Sequence, residues 1–334
     1  MTTIKDVAAA AGVSPTTVSH VLNNRGRIAE ETRTKVLEVV SQLAYQANAH
    51  AQQLVTRKSR IIAIQMPNLG GTSGPALPHS DYFLDLINGA AATADSLGYA
   101  LVVASSGGNA SILNGFAIDG AIVVDPQGDE PVFNTHATVV TIGVPLRRSH
   151  DVLAVDNDHA RAARVVFNHF VAHGRRRPAL LADRTRRSYV NDVVAGYRTW
   201  ADQHGATEIV VSPASLERSA IDLAFQELRA AGADAVYASS DDLALGLLDA
   251  AMRAGLRIPD DLGIASAVDS KSLLLTSPQI SATNLFAFRT GATAARLLID
   301  RLESGTGGTR TRMIPTNFVA RASTAAAAVE PERS

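Results

Sequence analysis

From residue 60 onwards the chain repeats one pattern, and that pattern restricts the fold more than any other feature. Short, continuously apolar runs alternate with amphipathic stretches of 14 to 20 residues, an alternation typical of a parallel α/β sheet. About 270 residues of such units exceed one ordinary domain. The sequence therefore predicts two doubly wound lobes with a cleft between them. The predicted strands are 61–66, 100–105, 120–125, 139–142, 179–182, 208–211, 235–238 and 262–267, and the predicted helices are 83–97, 159–173, 191–204, 216–231, 243–254 and 286–302.

The composition excludes several classes of protein. Hydrophobic residues make up 46% and charged residues 19%, which is typical of a globular protein, and no apolar run is long enough for a membrane span. The chain has no cysteine, so disulfides, thiolate nucleophiles and cysteine zinc sites are excluded. Lys5 and Asp6 stand where a signal peptide needs an apolar stretch, so we expect a cytoplasmic protein.

The net charge of -1 conceals two parts of opposite sign. The first 60 residues contain eight lysines and arginines against four acidic residues, a net charge of +4, and the remainder carries -5. A basic head on an acidic body predicts an anionic partner for the head alone. A basic face that is merely solvated remains the alternative.

Three short helices are predicted in the basic head from their capping residues. Thr3, with Asp6 three residues later, is typical of a capping box, and Ser14 followed by Pro15 is typical of an N-cap with a first-turn proline. Two short helices joined by a Gly-Val-Ser turn and backed by a third have the proportions of a helix-turn-helix, whose second helix enters the major groove. The predicted helices are 4–11, 15–22 and 30–43, with Val7, Ala8, Ala11, Val18, Val21, Leu22, Val36, Val40 and Leu43 on their inner sides.

The head resembles a known family almost without interruption. Residues 3–23, TIKDVAAAAGVSPTTVSHVLN, resemble the lactose/galactose repressor family of bacterial transcription regulators. His20 stands where that family most often has arginine, and it offers a base only one ring nitrogen, so we expect a different operator preference with weaker discrimination there. An exposed histidine without a role is the alternative. Ala29 replaces the family's serine cap, at a cost on the order of 1 kcal/mol.

The connector that follows is too short and polar to form a core, and we expect it to be disordered until DNA supports it. The resemblance implies a hinge helix that pairs with its dimer mate and places Leu54, next to Ala51, in the minor groove. Ala47 replaces the family's usual proline and leaves the entry less rigid. The alternative is that Leu54 is merely an exposed residue of a linker. The predicted DNA contacts are Pro15, Thr16 and His20 to bases, Thr17 and Ser19 to phosphates, and Thr3, Ser14, Asn23, Asn48, Ala51 and Leu54 around them.

The resemblance extends over the body. Five motifs, at 155–158, 196–197, 240–246, 255–261 and 319–324, follow the family's order and spacing. They imply a periplasmic-binding-protein-like body in which a small effector between the lobes shifts their orientation and so controls the DNA-binding heads. They also imply a homodimer on a near-palindromic operator.

The predicted cleft departs from the sugar-binding members of that family. Val193, Ser240 and Val268 replace an arginine, an asparagine and an aspartate. Because each unpaired buried hydroxyl costs roughly 1 to 3 kcal/mol, we expect the effector not to be an ordinary sugar. Structural roles stay open for the remaining polar residues, with Asp241 as a helix cap and Arg187 in a solvated loop. The predicted effector site is Arg161, Arg187, Tyr189, Val193, Ser240, Asp241, Val268 and Asp269.

No catalytic motif stands out, so we predict neither enzymatic activity nor a cofactor. His169 and His173 have metal-ligand spacing without a third ligand, and no metal site is predicted. A solute-binding protein and a DNA-binding regulator with a vestigial cleft remain alternatives to a ligand-controlled homodimeric repressor. The predicted domains are a DNA-binding head (1–46), a hinge (47–60), a two-lobed effector and dimerisation domain (61–324) and a flexible tail without a leucine heptad (325–334).

Overall fold

The chain forms two compact units that divide between Ser59 and Arg60. The computed structural model describes residues 2–22, 26–45, 58–67, 80–105, 117–135, 137–147, 152–184, 187–305 and 311–324. No helix among these residues is long and apolar enough to cross a membrane.

Among its described residues, the first unit has three helices, α1 (Ile4–Ala11), α2 (Pro15–Leu22) and α3 (Glu30–Gln42). The bounds of α1 and α2 are those predicted. Gly12 ends α1 in the left-handed conformation, at φ 67°, and its N–H bonds to the last turn of the helix. The prediction that Leu43 lies inside is wrong, because α3 ends before it and its side chain is exposed. The core of the unit is Val7, Ala8, Ala11, Val18, Val21, Val36 and Val39.

The second unit contains two six-stranded sheets with helices packed against them. In the described part of the unit, all but one of the strand pairings are parallel, as predicted. The elements are β1 (Ile61–Met66), α4 (Asp81–Ser96), β2 (Ala100–Ser105), β3 (Gly120–Val124), β4 (Thr138–Ile142), β5 (Leu153–Asn157), α5 (His159–Ala172), β6 (Pro178–Leu181), α6 (Ser188–His204), β7 (Val210–Val211), α7 (Arg218–Ala230), β8 (Ala235–Ala238), α8 (Asp241–Arg253), β9 (Gly263–Ser266), α9 (Lys271–Leu274), β10 (Ser281–Asn284), α10 (Ala287–Ser304), β11 (Arg312–Ile314) and β12 (Asn317–Val319).

Each sheet is the centre of one lobe. Lobe 1 has the strand order β11-β5-β4-β3-β1-β2, and α4 and α10 cover one face of its sheet. Lobe 2 has the order β12-β10-β9-β8-β6-β7, in which only the β10–β12 pair is antiparallel. Helices α7 and α8 pack on one face of the lobe 2 sheet and α5 and α6 on the other.

The sequence prediction missed four strands, β5, β10, β11 and β12. The sequence of β10, Ser-Ala-Thr-Asn, contains no apolar run, yet its first three residues are buried. Their hydroxyls are hydrogen-bonded: Ser281 Oγ donates to the Arg321 carbonyl at 3.1 Å, and Thr283 Oγ1 lies 3.0 Å from the Tyr237 hydroxyl. Asp125, predicted to end a strand, lies outside β3 at φ 47°. A strand without an apolar run can therefore be buried when its polar groups are hydrogen-bonded.

The chain crosses between the lobes three times, after β5, after β10 and after β11. One side chain joins the three crossings, because the amide nitrogen of Asn157 donates to the carbonyls of Leu285, at 3.2 Å, and Ile314, at 3.1 Å. Asn157 is 4% exposed. The crossings therefore form one buried, hydrogen-bonded joint.

Helices α4 and α10 approach each other closely through two glycines. A Cβ atom on Gly89 would collide with the Phe288 carbonyl, and one on Gly291 would collide with the Leu86 carbonyl. Glycine is required at both positions because the backbone of the facing helix occupies the space of a side chain.

Candidate functional site

The start of α2 in the head is fixed by Ser14. Its Oγ accepts a hydrogen bond from the Thr17 N–H at 3.0 Å and lies 2.9 Å from the Thr17 hydroxyl. This is the N-cap that the Ser14-Pro15 sequence predicts. The helix that resembles the base-reading helix of a helix-turn-helix therefore begins at a defined residue.

The predicted DNA-contacting residues of α2 lie on its outer side. Pro15, Thr16 and His20 are exposed, whereas Thr17 and Ser19 are half-buried. Val18 and Val21 fill the opposite side of the helix. The structure thus presents the three predicted base-reading side chains together on one accessible face. Asn23, Asn48, Ala51 and Leu54, which were also predicted to contact DNA, lie outside the described residues.

The start of α1 carries the predicted capping box. The Thr3 N–H and the Thr3 hydroxyl both donate to Asp6 Oδ2 at 2.8 Å. These hydrogen bonds hold the pKa of Asp6 below its ordinary value. By contrast, Ala29 at the start of α3 makes no side-chain cap.

The second candidate site lies between the lobes, where the carboxyl ends of the parallel strands meet. Asp125 follows β3 in lobe 1, and Arg187 precedes α6 in lobe 2. The Arg187 guanidinium donates to the Asp125 carbonyl at 3.4 Å and lies 4.0 Å from its carboxylate. A second contact joins Ser80 to Asp241 at 3.4 Å. The two lobes therefore touch through polar groups at this edge.

Of the predicted effector-binding residues, the structure brings Arg187, Tyr189 and Asp241 together. Arg187 is 5% exposed and therefore does not belong to a solvated loop. Burial raises the pKa of Tyr189; Asp125, Asp183 and Asp241 raise it further and Arg187 opposes them, so these charges lie within electrostatic range of Tyr189. Ser240, not Asp241, caps α8, because Ser240 Oγ accepts the Leu243 N–H at 3.3 Å.

Other predicted residues have different surroundings. Val193 is 1% exposed and packs in the lobe 2 core, and the side chain of Arg161 is exposed. Val268 is half-buried beside Ser266. Asp269 forms a two-pronged ion pair with Arg321, at 2.7 and 2.9 Å. Their effector contacts stay predictions.

Sequence reasoning missed several polar side chains of the cleft. Burial raises the pKa of Tyr82, with smaller contributions from Asp125 and Asp156, and it raises the pKa of Asp156, with a smaller contribution from Asp192. The His159 ring lies 5.8 Å from that of Tyr189. A signal existed for Asp125, because it directly follows an apolar run that was predicted as a strand of a parallel sheet. No comparable pattern marked the others.

Burial perturbs the titration of these groups. It raises the pKa of Asp125 to about 6, against the opposing effect of Arg187. It raises the pKa of Asp156 to about 7, with help from Asp192 and Asp125, and it also raises the pKa of Asp192. Burial lowers the pKa of His159 to about 4. Perturbed carboxyls gathered in a cleft are typical of a functional site.

No metal centre is present among the residues that the structure describes. His169 Nε2 bonds the Thr324 hydroxyl at 3.0 Å, and His173 Nδ1 bonds the His169 carbonyl at 2.8 Å. The two histidines therefore serve hydrogen bonds within lobe 2.

Comparison with family models matches both units. Residues 3–48 match the model of bacterial regulatory proteins of the lacI family, and residues 167–324 match the periplasmic binding protein-like domain. Catabolite control protein A of Streptococcus mutans is 29% identical over 89% of the chain and 90% of its own length. The transcriptional regulator MalR of Staphylococcus xylosus is 28% identical over 97% and 98%.

Solved structures share the fold along nearly the whole chain. The lac repressor dimer bound to operator and an anti-inducer superposes with a TM-score of 0.79 at 22% identity, covering 97% of this chain and 99% of that one. The complex of the regulator CelR with cellobiose gives a TM-score of 0.70 at 23% identity, covering 97% and 100%. The helical head and the two-lobed body thus occur together in known proteins.

Proposed function

Because the chain belongs to the lacI family of bacterial regulatory proteins, we propose that it represses transcription from a near-palindromic operator under the control of a small molecule. The observation that carries this proposal is the exposed row of Pro15, Thr16 and His20 on a capped second helix. The net charge of +4 in the first 60 residues supports contact with the phosphate backbone. DNA as the partner supports a cytoplasmic location for the protein, and we propose no catalytic role.

The DNA-binding part is tested by selecting binding sites from random duplexes with the full chain and then measuring affinity by fluorescence anisotropy. His20→Ala is expected to lose about 1 kcal/mol of discrimination at one base pair of each half-site. The control Glu38→Ala, an exposed residue of α3, should leave discrimination unchanged. Equal affinity of the protein for selected and scrambled duplexes would refute sequence-specific binding.

Salt dependence gives an independent test of the same proposal. Phosphate contacts release counterions, so log affinity is expected to fall linearly and steeply with log salt concentration. Affinity that is insensitive to salt would contradict phosphate contact by the basic head.

The cleft between the lobes supports control by a ligand. Asp125, Arg187, Tyr189 and Asp241 come from both lobes, so a molecule held by them would interact differently with open and closed forms. We propose that this molecule is not an ordinary sugar. Val268 is apolar, and the Ser240 hydroxyl is already bonded to α8. Operator release on titration with metabolites tests ligand control, and release by none would favour a ligand-independent regulator.

We also propose that the chain acts as a homodimer. The lac repressor, which shares the fold over 97% of this chain, was solved as a dimer. Lobe 2 exposes large apolar side chains, among them Leu275 at 87%, Leu223 at 68% and Met252 at 53%. Light scattering after size exclusion should give twice the chain mass, and Leu275→Lys should shift the protein towards monomer. A monomer for the unmodified chain would refute the proposal.

A further inference from the structure

The start of α4 in lobe 1 contacts the starts of two helices in lobe 2. Asp81 Oδ2 accepts a hydrogen bond from the Lys271 N–H at 3.0 Å, and Ser80 Oγ donates to Asp241 Oδ2 at 3.4 Å. Lys271 is the first residue of α9, and Asp241 is the first residue of α8. One end of α4 therefore joins the two lobes through two side chains that are adjacent in sequence.

The serine that precedes α9 does not cap its own helix. Ser270 has the extended backbone of an N-cap, at φ -145° and ψ 160°, nearly the same as Ser240 before α8, at φ -142° and ψ 162°. Ser240 Oγ accepts the Leu243 N–H, whereas the Ser270 hydroxyl makes no hydrogen bond with any part of the chain that the structure describes. Ser270 is 7% exposed. Its hydroxyl is therefore buried without a described partner, while Asp81 of the other lobe bonds the next N–H.

The start of α9 can be satisfied in two different ways. With the lobes together, Asp81 accepts the Lys271 N–H, and the Ser270 hydroxyl stays buried and unpaired, which is costly. With the lobes apart, water can bond both groups, and the hydroxyl can cap α9 as Ser240 caps α8. The bond to Asp81 thus favours contact between the lobes, and burial of the Ser270 hydroxyl opposes it.

We propose that Ser80, Asp81, Asp241, Ser270 and Lys271 form an interlobe latch, closed in this structure, that keeps closed and open forms of the body both populated. The two opposing contributions are of similar size, because a hydrogen bond to a charged acceptor gains about as much as an unpaired buried hydroxyl costs. A ligand that prefers either form then needs only a modest difference in affinity to shift the lobes. Only this last step rests on the proposed function, since the latch itself needs no ligand.

Two substitutions should shift the latch in opposite directions. Asp81→Ala removes the acceptor of the Lys271 N–H and should lower the ratio of closed to open form about tenfold. Ser270→Ala removes the unpaired hydroxyl and should raise that ratio about tenfold. The matched controls are Asp85→Ala, exposed one turn later on α4, and Ser272→Ala, exposed on α9. Both should leave the ratio unchanged.

The ratio is measured as a distance between the lobes. Because the chain has no cysteine, a dye pair can be attached to Asp95→Cys on α4 and Asp202→Cys on α6, both at exposed positions. Labelled full-length chains are mixed with an excess of unlabelled chains, so that a dimer rarely contains two labelled chains. Single-molecule energy transfer then counts the closed and open forms. Thermal unfolding of each variant shows whether the fold is retained.

Hydrogen exchange gives an independent measure at the latch itself. Mass spectrometry of the segment 270–275 follows the N–H of Lys271, which exchanges when the latch opens. Exchange of this segment should become faster in Asp81→Ala and slower in Ser270→Ala. Faster exchange in Asp81→Ala at an unchanged interlobe distance would refute the latch, because Asp81 would then be only a local cap of α9.

The latch requires both shifts in distance. Shifts in the same direction, or no shift in either one of the two variants, refute it, and so does a single interlobe distance in every variant. Operator affinity of the same variants separates this inference from the proposed function. If the distances shift as expected while operator affinity stays constant, the latch stands and control of DNA binding through lobe orientation fails.

Discussion

Replacing Asp156 by asparagine should make the protein more stable, and more so at high pH. The Asp156 side chain is 10% exposed, and burial with nearby Asp192 and Asp125 raises its pKa from 3.8 to about 7. In the unfolded chain the same carboxyl is ionised at pH 5. Raising the pH from 5 to 8 therefore removes a proton from the folded state alone, and folding stability falls.

The magnitude follows from the pH interval. Each pH unit between pH 5 and the folded-state pKa of about 7 lowers the unfolding free energy by about 1.4 kcal/mol. The unmodified protein should therefore lose about 3 kcal/mol of unfolding free energy through this one carboxyl. Asparagine has no proton to lose. The difference in unfolding free energy between Asp156→Asn and the unmodified protein should therefore grow by about 3 kcal/mol from pH 5 to pH 8.

Urea unfolding at the two pH values measures this difference. Trp200, the only tryptophan of the chain, is 2% exposed in lobe 2 and reports unfolding by fluorescence. Asp202→Asn, on the exposed side of α6, is the control and should change stability equally at both pH values. An Asp156→Asn effect that is the same at pH 5 and pH 8 would refute the assignment of a raised pKa to this residue.

Three further predictions concern other parts of the molecule. Gly291→Ala should destabilise the fold by about 1 to 3 kcal/mol in thermal unfolding, despite the higher helix propensity of alanine, because a Cβ collides with the Leu86 carbonyl; stabilisation would contradict the close approach of α4 and α10. Between pH 6.5 and pH 4 the unfolded His159 takes up a proton while the folded one stays largely neutral, so this residue should lower the unfolding free energy of the unmodified protein by about 3 kcal/mol. His159→Gln should abolish that loss, and a variant as sensitive to acid as the unmodified protein would refute the prediction. Leu54→Ala should weaken specific DNA binding far more than non-specific binding, and equal loss of both would remove Leu54 from the minor groove.

Much of the fold was predictable because burial on both faces of a parallel sheet imposes an apolar run on each central strand. The bounds of β1, β2 and β8 are those predicted. In the head, Thr3 and Ser14 marked the helix starts through short-range hydrogen bonds, which depend only on residues three apart. Capping hydrogen bonds of this kind can therefore be predicted from the sequence.

The cleft was less predictable because its chemistry depends on residues distant in sequence. Asp269 pairs with Arg321, 52 residues further along the chain, and no local pattern indicates such a pair. Val193 was predicted from its place in a motif to face the effector; its side chain packs in the lobe 2 core, and its effector contact stays a prediction. One step along a helix turns a side chain by about 100°, so a motif position alone does not identify the facing residue.

The joint at Asn157 limits how the two lobes can respond to any ligand. Its amide bonds the other two crossings at 3.2 and 3.1 Å, and a sliding motion of one lobe past the other would break both bonds in a buried place, where unpaired carbonyls are costly. A rotation centred on Asn157 keeps them. The joint therefore favours rotation of the lobes about this point over sliding of one lobe past the other.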